Sequence, residues 1–195
     1  MEFTEFDEGG DERVLFVLGW GNRTDHENVR WLVEKLTDAG YVVDVGQIPL
    51  HISEFDREYL APTQKRYDAT DPDRILSHST GGLITAHLDA DVPRVSLSPW
   101  WGLADGADYA VPAFLRTIVD AQERLPPIRA DAVVFCSLQD RVVGVGAIGA
   151  RTPAARTVLY DGGHEFFSSS GREDTVEAVL AALAEGPDAV PTAPA

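Results

Sequence analysis

The sequence has little positive charge and no long apolar run. Of its 195 residues only 16 are Lys or Arg, against 32 Asp or Glu, which gives a formal net charge of −16. A chain this acidic repels phosphate groups, which argues against nucleic acid and anionic lipid as partners. No stretch approaches the roughly 20 apolar residues of a membrane-spanning helix, so no membrane insertion is expected. Residues 1–8 lack the features of a secretory signal, so a cytoplasmic location is expected.

Lysine is especially scarce, since Lys35 and Lys65 are the only two in the chain. An acid-rich, lysine-poor surface is typical of proteins from salt-accumulating cytoplasms. The self-repulsion of such a surface is relieved by salt, because the Debye length falls to about 3 Å at 1 M ionic strength. We therefore expect a halophilic, salt-adapted protein.

The chain has little cysteine, and it lacks the sequence motifs of common cofactor sites. Cys136 is the single cysteine, so the chain has no internal disulfide, and its apolar surroundings predict a buried thiol. The histidines show no metal-ligand spacing such as HExxH. The segment 19–24 begins like a dinucleotide fingerprint, but Thr24 stands where the third glycine belongs. We expect neither a metal nor any other cofactor.

Short apolar runs alternate with longer stretches of helical periodicity, which predicts an α/β fold with a mostly parallel sheet flanked by helices. Several runs are apolar throughout, as in strands that are buried on both faces. We expect one domain over residues 1–185, a sheet of about six to seven strands, and a disordered tail over residues 186–195. The strands are predicted at 13–18, 41–45, 74–78, 94–98, 132–137 and 157–160, with a further edge strand at 2–7.

The predicted helices lie between these strands. Residues 24–27 fit a capping box, with Thr24 as N-cap and Glu27 as its partner, and Gly40 ends that helix. The remaining helices are predicted within 53–67 with a kink near Pro62, from Ser79 onward, at 112–124 and at 173–184.

One serine stands between a predicted strand and a predicted helix. Ser79 has small residues two positions away on each side, Ser77 and Gly81. A tight strand-to-helix turn strains the backbone of its central residue and leaves no room for bulky flanking side chains. The pattern predicts a nucleophilic serine, and a plain helix N-cap is the alternative.

An acid and a histidine follow in order, each after a predicted strand. Asp140 comes after the strand at 132–137, and His164 after the strand at 157–160. An imidazole can accept and return a proton near neutral pH, and a carboxylate can hold its tautomer. Asp161 is a rival for the role of the acid, although it lies only three residues before His164.

These three motifs, in the order Ser, Asp, His, resemble the α/β-hydrolase fold superfamily over residues 13–167. The resemblance implies a small, esterase- or lipase-like serine hydrolase with a minimal cap or none. Ser79 would be the nucleophile, His164 the general base and Asp140 the acid. It also implies an oxyanion hole made by two backbone N–H groups, those of Thr80 and Trp20.

The chain departs from the usual pattern of this superfamily at two positions. Ser77 stands where glycine is more usual, and Leu18 stands where many members carry histidine. The first change keeps a small residue, and the second leaves the backbone donors of the loop in place. His78 and His87 are expected to be packing or surface residues.

Aromatic residues gather after the predicted strand at 94–98. Trp100 and Trp101, together with Phe166, are expected to line an apolar substrate pocket, with ordinary core packing as the alternative. The expected substrate is a carboxylic ester of an apolar small molecule, cleaved through an acyl-enzyme. An acyl thioesterase or a non-catalytic binding or regulatory protein on the same fold are the alternatives, and the oligomeric state is left open.

Overall fold

In a computed structural model of the chain, residues 1–50, 54–102, 116–151, 155–164 and 172–190 are described. They form a seven-stranded sheet with helices on both faces. The strands are β1 (Glu2–Phe6), β2 (Glu12–Val17), β3 (Tyr41–Gln47), β4 (Arg74–His78), β5 (Arg94–Leu97), β6 (Val133–Ser137) and β7 (Arg156–Tyr160). The α-helices are α1 (Glu27–Asp38), α2 (Ala61–Thr70), α3 (Thr80–Ala86), α4 (Arg116–Glu123), α5 (Val145–Arg151) and α6 (Arg172–Glu185).

The order of the strands creates a crevice beside β2. The order is β1-β3-β2-β4-β5-β6-β7, in which β1 pairs antiparallel with β3 and the other pairs are parallel. From β2 the chain winds to one side into β3 and then crosses back to β4 on the other side. The carboxyl ends of β2 and β4 therefore flank a topological switch point, where α/β sheets bind ligands. The predicted α/β class with a mostly parallel sheet is confirmed.

The core has two layers, one on each face of the sheet, because side chains alternate along each strand. In β2, Val14 and Phe16 pack toward α1 and α6, whereas Leu15 and Val17 pack toward the helices on the other face. All four side chains are fully buried. Burial on both faces explains why these strands read as continuous apolar runs.

The predicted start of α1 differs from the structure, whereas the predicted interruption before α2 agrees with it. α1 begins at Glu27, with His26 as N-cap and no side-chain cap, so the predicted capping box is wrong. The backbone N–H of Thr24 instead donates to the side chain of Gln47, 3.2 Å away, which holds Thr24 on the β3 side of the loop. The predicted interruption near Pro62 is confirmed, since a π-helical turn, Asp56–Leu60, leads into α2.

The predicted disordered tail begins with packed structure. Pro187–Ala189 form one turn of 3-10 helix, and Val190 is only 2% exposed within the core layer that contains α1 and α6. Disorder is therefore the wrong prediction for residues 186–190, because burial of Val190 offsets the entropy lost on ordering. Residues 191–195 lie outside the described residues.

Within the described part of the chain, no helix has both the length and the apolar composition needed to cross a membrane.

Candidate active site

Ser79 occupies the sharp turn between β4 and α3. Its φ of 52° and ψ of −120° lie in a region that L-residues rarely adopt. Three backbone hydrogen bonds hold it there: its N–H donates to the carbonyl of Leu97 at 3.0 Å, and its own carbonyl accepts from Gly82 and Trp100, each at 2.9 Å. The strained backbone is thus fixed by the neighbouring strand and helix, and the residue is only 5% exposed.

Close packing explains the small residues around Ser79. A Cβ on Gly81 would lie 2.1 Å from the carbonyl oxygen of Val17, so α3 can approach β2 only with glycine there. A Cβ on Gly19, in the loop after β2, would lie 2.9 Å from the Cβ of Ser79. Ser77 fits where glycine is usual because its hydroxyl lies 3.0 Å from that of Ser96 on the paired strand.

Ser79, His164 and Asp140 form an unbroken chain of hydrogen bonds. Ser79 Oγ lies 2.8 Å from His164 Nε2, and His164 Nδ1 lies 2.8 Å from Asp140 Oδ2. A carboxylate only accepts hydrogen bonds, so Nδ1 carries the proton and the Nε2 of a neutral ring accepts from the serine hydroxyl. The structure brings together the three residues that the sequence singled out.

Asp140 is held in its ionised form by its neighbours. Its side chain is 2% exposed, and its second oxygen accepts the backbone N–H groups of Val142 at 2.8 Å and Val143 at 2.9 Å. Burial by itself would raise the pKa of Asp140, but the hydrogen bond from His164 and the two backbone bonds hold that pKa below its ordinary value. The rival acid, Asp161, is exposed and accepts a hydrogen bond from Gln139 instead.

Hydrogen bonds to three successive backbone carbonyls hold the loop that carries His164. The carbonyl of Gly162 accepts from the hydroxyl of Ser137 in β6, and that of Gly163 accepts from the hydroxyl of Tyr160 in β7 at 3.4 Å. The carbonyl of His164 itself lies 3.1 Å from Nε2 of His78 in β4.

The sequence predicts His78 as a packing or surface residue, and it is indeed fully buried. What the sequence misses is its contact with His164. The partner of His78 is the backbone carbonyl of His164, 86 residues away, and a pattern of side chains in the sequence does not predict a contact to a backbone group.

The two predicted oxyanion-hole residues flank the crevice between β2 and β4. Thr80 is the first residue of α3, where backbone N–H groups have no partner inside the helix. Trp20 lies in a turn closed by the bond from the N–H of Asn22 to the carbonyl of Gly19, at 3.1 Å. Trp20 is 39% exposed, and its indole N–H donates to the backbone carbonyl of Leu50. Leu50 is 54% exposed.

The structure describes two of the three aromatic residues that are predicted to line a substrate pocket. Trp100 is partly buried, and its backbone lies directly beside Ser79. Trp101 is 2% exposed and donates its indole N–H to the carbonyl of Gly82 at 3.1 Å, so it packs in the core. The cavity of about 300 Å³ that it lines also contacts His87 and Arg94, and none of the residues Ser79, Asp140 and His164 lines it. The indole of Trp101 packs behind α3, in the same core layer as Leu83 and Ile84. Phe166 lies outside the described residues.

Metal ligation and thiol chemistry are the two alternatives to this cluster that can be checked in the described residues. Among the residues that the structure describes, no three His, Cys, Asp or Glu side chains are grouped so as to hold a metal ion. Cys136 is 1% exposed, as predicted, and burial raises the pKa of its thiol to about 12. A thiol of that pKa is protonated near neutral pH and is a poor nucleophile.

No protein-family model and no curated protein matches this chain. Solved structures do. A monoacylglycerol lipase from Paleococcus ferrophilus is 16% identical, with a TM-score of 0.74 over 92% of this chain and 97% of its own. An esterase from Exiguobacterium antarcticum is 13% identical, with a TM-score of 0.68 over 91% of this chain and 94% of its own.

A Xanthomonas campestris protein, assigned to the alpha/beta superfamily of hydrolases, is 17% identical, with a TM-score of 0.63 over 87% of this chain and 95% of its own. At sequence identities this low, the structural similarity is evidence for the fold alone. Taken with the strand order and the strained serine turn, it shows that the chain has the α/β-hydrolase fold.

Proposed function

We propose that the protein is a serine hydrolase that cleaves carboxylic esters of apolar small molecules through a Ser79–His164–Asp140 triad. The observation that carries the proposal is the continuous hydrogen-bond chain, with 2.8 Å between Ser79 Oγ and His164 Nε2 and 2.8 Å between His164 Nδ1 and Asp140 Oδ2. Nucleophile, base and orienting acid within such distances are the signature of an activated serine.

The reaction follows from this geometry. Ser79 Oγ attacks the ester carbonyl carbon while His164 Nε2 takes the hydroxyl proton, and ionised Asp140 stabilises the imidazolium. The tetrahedral intermediate collapses as His164 gives that proton to the leaving alcohol, which leaves an acyl group on Ser79. Water, deprotonated by His164, then attacks the acyl carbon, and Ser79 leaves with the proton as the acid is released.

The negative oxygen of the tetrahedral intermediate needs hydrogen-bond donors. We assign this role to the backbone N–H groups of Thr80 and Trp20, one on each side of the crevice. Gly19 supports the assignment, because its close packing on Ser79 brings the loop of Trp20 against the nucleophile. Each such donor contributes about 10²- to 10³-fold in rate in enzymes of this type.

Apolar groups near the site favour an apolar substrate. Trp20 and Leu50 are both exposed and are joined by a hydrogen bond, and the backbone N–H of Trp100 lies 2.9 Å from the carbonyl of Ser79. If Trp100 contacts the acyl chain, Trp100→Ala raises KM for longer acyl esters about tenfold and leaves KM for acetate esters nearly unchanged. Trp31→Ala, on α1, is the control. Equal effects of Trp100→Ala on both esters would contradict the pocket.

A fluorophosphonate probe, which labels activated serines, tests the triad. Labelling in high salt is expected for the wild type and for His87→Ala, and is expected to be lost in Ser79→Ala and His164→Ala. Circular dichroism checks that each variant is folded. Labelled protein is then screened on matched esters and thioesters. A folded wild type that takes no label would contradict a hydrolase and favour a binding protein on the same fold.

We also propose that the protein is adapted to a salt-accumulating cytoplasm, because its net charge is −16. Some of its few cations are already engaged internally, since Arg13 and Arg66 both bind the fully buried Asp44. The remaining acidic surface repels itself. The thermal midpoint is expected to rise from low to molar KCl, and an unchanged midpoint would contradict the adaptation.

A further inference from the structure

His78, the residue before Ser79, uses both nitrogens of its buried ring. Nε2 lies 3.1 Å from the backbone carbonyl oxygen of His164, and Nδ1 lies 3.3 Å from the side-chain nitrogen of Asn22. A carbonyl oxygen can only accept, so Nε2 must carry the proton. The side-chain nitrogen of Asn22 can only donate, so Nδ1 accepts from it and carries no proton. The two partners thus fix one neutral tautomer.

We propose that His78 is a positioning residue for His164: it holds the backbone of the base in place, and Asn22 keeps it in the tautomer that does so. This inference rests on the proposed function, since it assigns a role within the same triad. It adds a connection that the triad lacks, because His78 joins the loop after β2, the nucleophile turn after β4 and the histidine loop after β7.

The physical reason lies in where His164 is held. Asp140 holds the ring at Nδ1, and His78 holds the main chain of the same residue at its carbonyl. These two contacts hold both the main chain and the ring of His164, and its Nε2 lies 2.8 Å from Ser79 Oγ. A displacement of about 1 Å at a reacting group can lower the rate by about 10²-fold, so a lost anchor has a measurable consequence.

The tautomer matters for charge as well as for geometry. The rings of His78 and His164 lie 5.4 Å apart, at 43° to each other. During the reaction His164 becomes an imidazolium, and a second positive ring at that distance would oppose it. Because Nδ1 of His78 already accepts from Asn22, the ring stays neutral while it donates to His164.

Two substitutions separate the roles of the ring. His78→Phe keeps a ring of similar shape but removes the donor, and is expected to lower kcat about 30- to 100-fold with KM changed less than about threefold. His78→Gln places an amide N–H where Nε2 stands, and is expected to recover at least about tenfold of the lost kcat. A role in packing alone would predict the reverse order, with phenylalanine the better substitute.

His87 provides a matched control. Its Nε2 also donates to a backbone carbonyl, that of Ala121, at 3.1 Å, and its ring packs edge-on against Phe55. His87→Phe therefore removes the same kind of bond at a site away from the triad. We expect kcat within about twofold of the wild type. A loss as large as that in His78→Phe would overturn the positioning role.

Nuclear magnetic resonance of the imidazole groups gives a readout that does not need turnover. In the wild type, His78 is expected as the neutral Nε2–H tautomer, and His164 as a single species whose Nδ1–H is protected by Asp140. His78→Phe should broaden or lose that Nδ1–H signal, and His78→Gln should restore it. An unchanged His164 signal in folded His78→Phe would overturn the inference even if the protein were an active esterase. Failure of fluorophosphonate labelling alone would instead count against the proposed function.

Asn22 is tested through its dependence on His78. Asn22→Leu removes the donor to Nδ1 and is expected to lower kcat about fivefold. If Asn22 acts through the tautomer of His78, the double variant with His78→Phe is no slower than His78→Phe alone. Effects that multiply would overturn the role assigned to Asn22.

Discussion

The two halves of the site are held by different kinds of contact. On the Ser79 side, backbone hydrogen bonds and the close approach of Gly19 and Gly81 fix the geometry. On the other side, Asp140 and His164 lie in loops after β6 and β7, and side-chain hydrogen bonds hold them. β7 is also an edge strand, with Leu159 36% exposed.

This difference predicts how each half fails. Added bulk on the Ser79 side has to displace main chain, so it affects the stability of the fold. A change of polarity on the Asp140 side removes or reverses a hydrogen bond with little change of shape. Under the proposed function it therefore affects the rate of ester hydrolysis. Stability and activity can therefore be lost separately, by substitutions in different halves.

The largest effect is expected from Asp140→Asn. The amide has nearly the shape of the carboxylate, but it no longer favours the Nδ1–H tautomer of His164 and no longer stabilises the imidazolium. By analogy with other triads, kcat should fall about 10⁴-fold. Asp161→Asn, which alters the acid bonded to Gln139, is the control and should stay within about twofold. Comparable losses in the two variants, measured as ester hydrolysis, would contradict the assignment of the acid.

On the Ser79 side, Gly81→Ala should destabilise the fold by about 3 kcal/mol, because its Cβ would lie 2.1 Å from the Val17 carbonyl and 2.7 Å from that of Leu18. Gly149→Ala is the control. It lies in α5 with nothing within 4 Å of the added Cβ, and should gain about 1 kcal/mol from helix propensity. Denaturant unfolding in high salt measures both. Equal stability of the two variants would refute the packing argument.

The lowered pKa of Asp140 predicts a smaller effect, on the pH dependence of stability. A carboxyl group whose pKa is lower in the folded than in the unfolded state stabilises the fold when the pH is above its pKa in the unfolded state, about 3.9. That stabilisation is lost as pH falls through the lower, folded value. The free energy of unfolding should therefore decline less steeply below about pH 4 in Asp140→Asn than in the wild type. Parallel pH curves would show that the site does not favour the charge.

The smallest effect is expected from Ser77→Gly, which installs the residue more usual at this turn. It removes the hydroxyl pair with Ser96 and should lower stability by about 1 kcal/mol, with kcat changed less than about twofold. Ser96→Ala breaks the same pair from the other strand and should match it in stability. A large loss of activity in Ser77→Gly would show that this serine shapes the nucleophile turn.

The sheet could be predicted from the sequence because its strands are buried on both faces. β4 has the predicted bounds, and β3 extends the predicted strand by two residues to Gln47. α5 was missed because Gly146 and Gly149 weaken its helical pattern, so only packing of residues such as Ile148 against the core reveals it. The start of α1 was misplaced because Thr24 bonds to a distant strand, β3, and not to its own helix.

Within the site, position along the fold was the useful signal. Ser79, Asp140 and His164 each follow a strand, so their meeting at one edge of the sheet could be predicted. Trp101 also follows a strand, but the sequence cannot tell an indole that packs behind α3 from one that lines a pocket beside Ser79. His78 was missed because its partners, Asn22 and the carbonyl of His164, are distant in sequence.

The order of the strands also has a consequence for synthesis of the protein. Ser79 is made 85 residues before His164, and β7 precedes the histidine. Among the strands that the structure describes, β7 pairs with β6 and with no other. β2, β4 and β5 can therefore pair on the ribosome around a serine that has no base. Under the proposed function, completion of the sheet at its last edge is also the step that supplies a base to Ser79, and a chain that ends before β7 is expected to hydrolyse no ester.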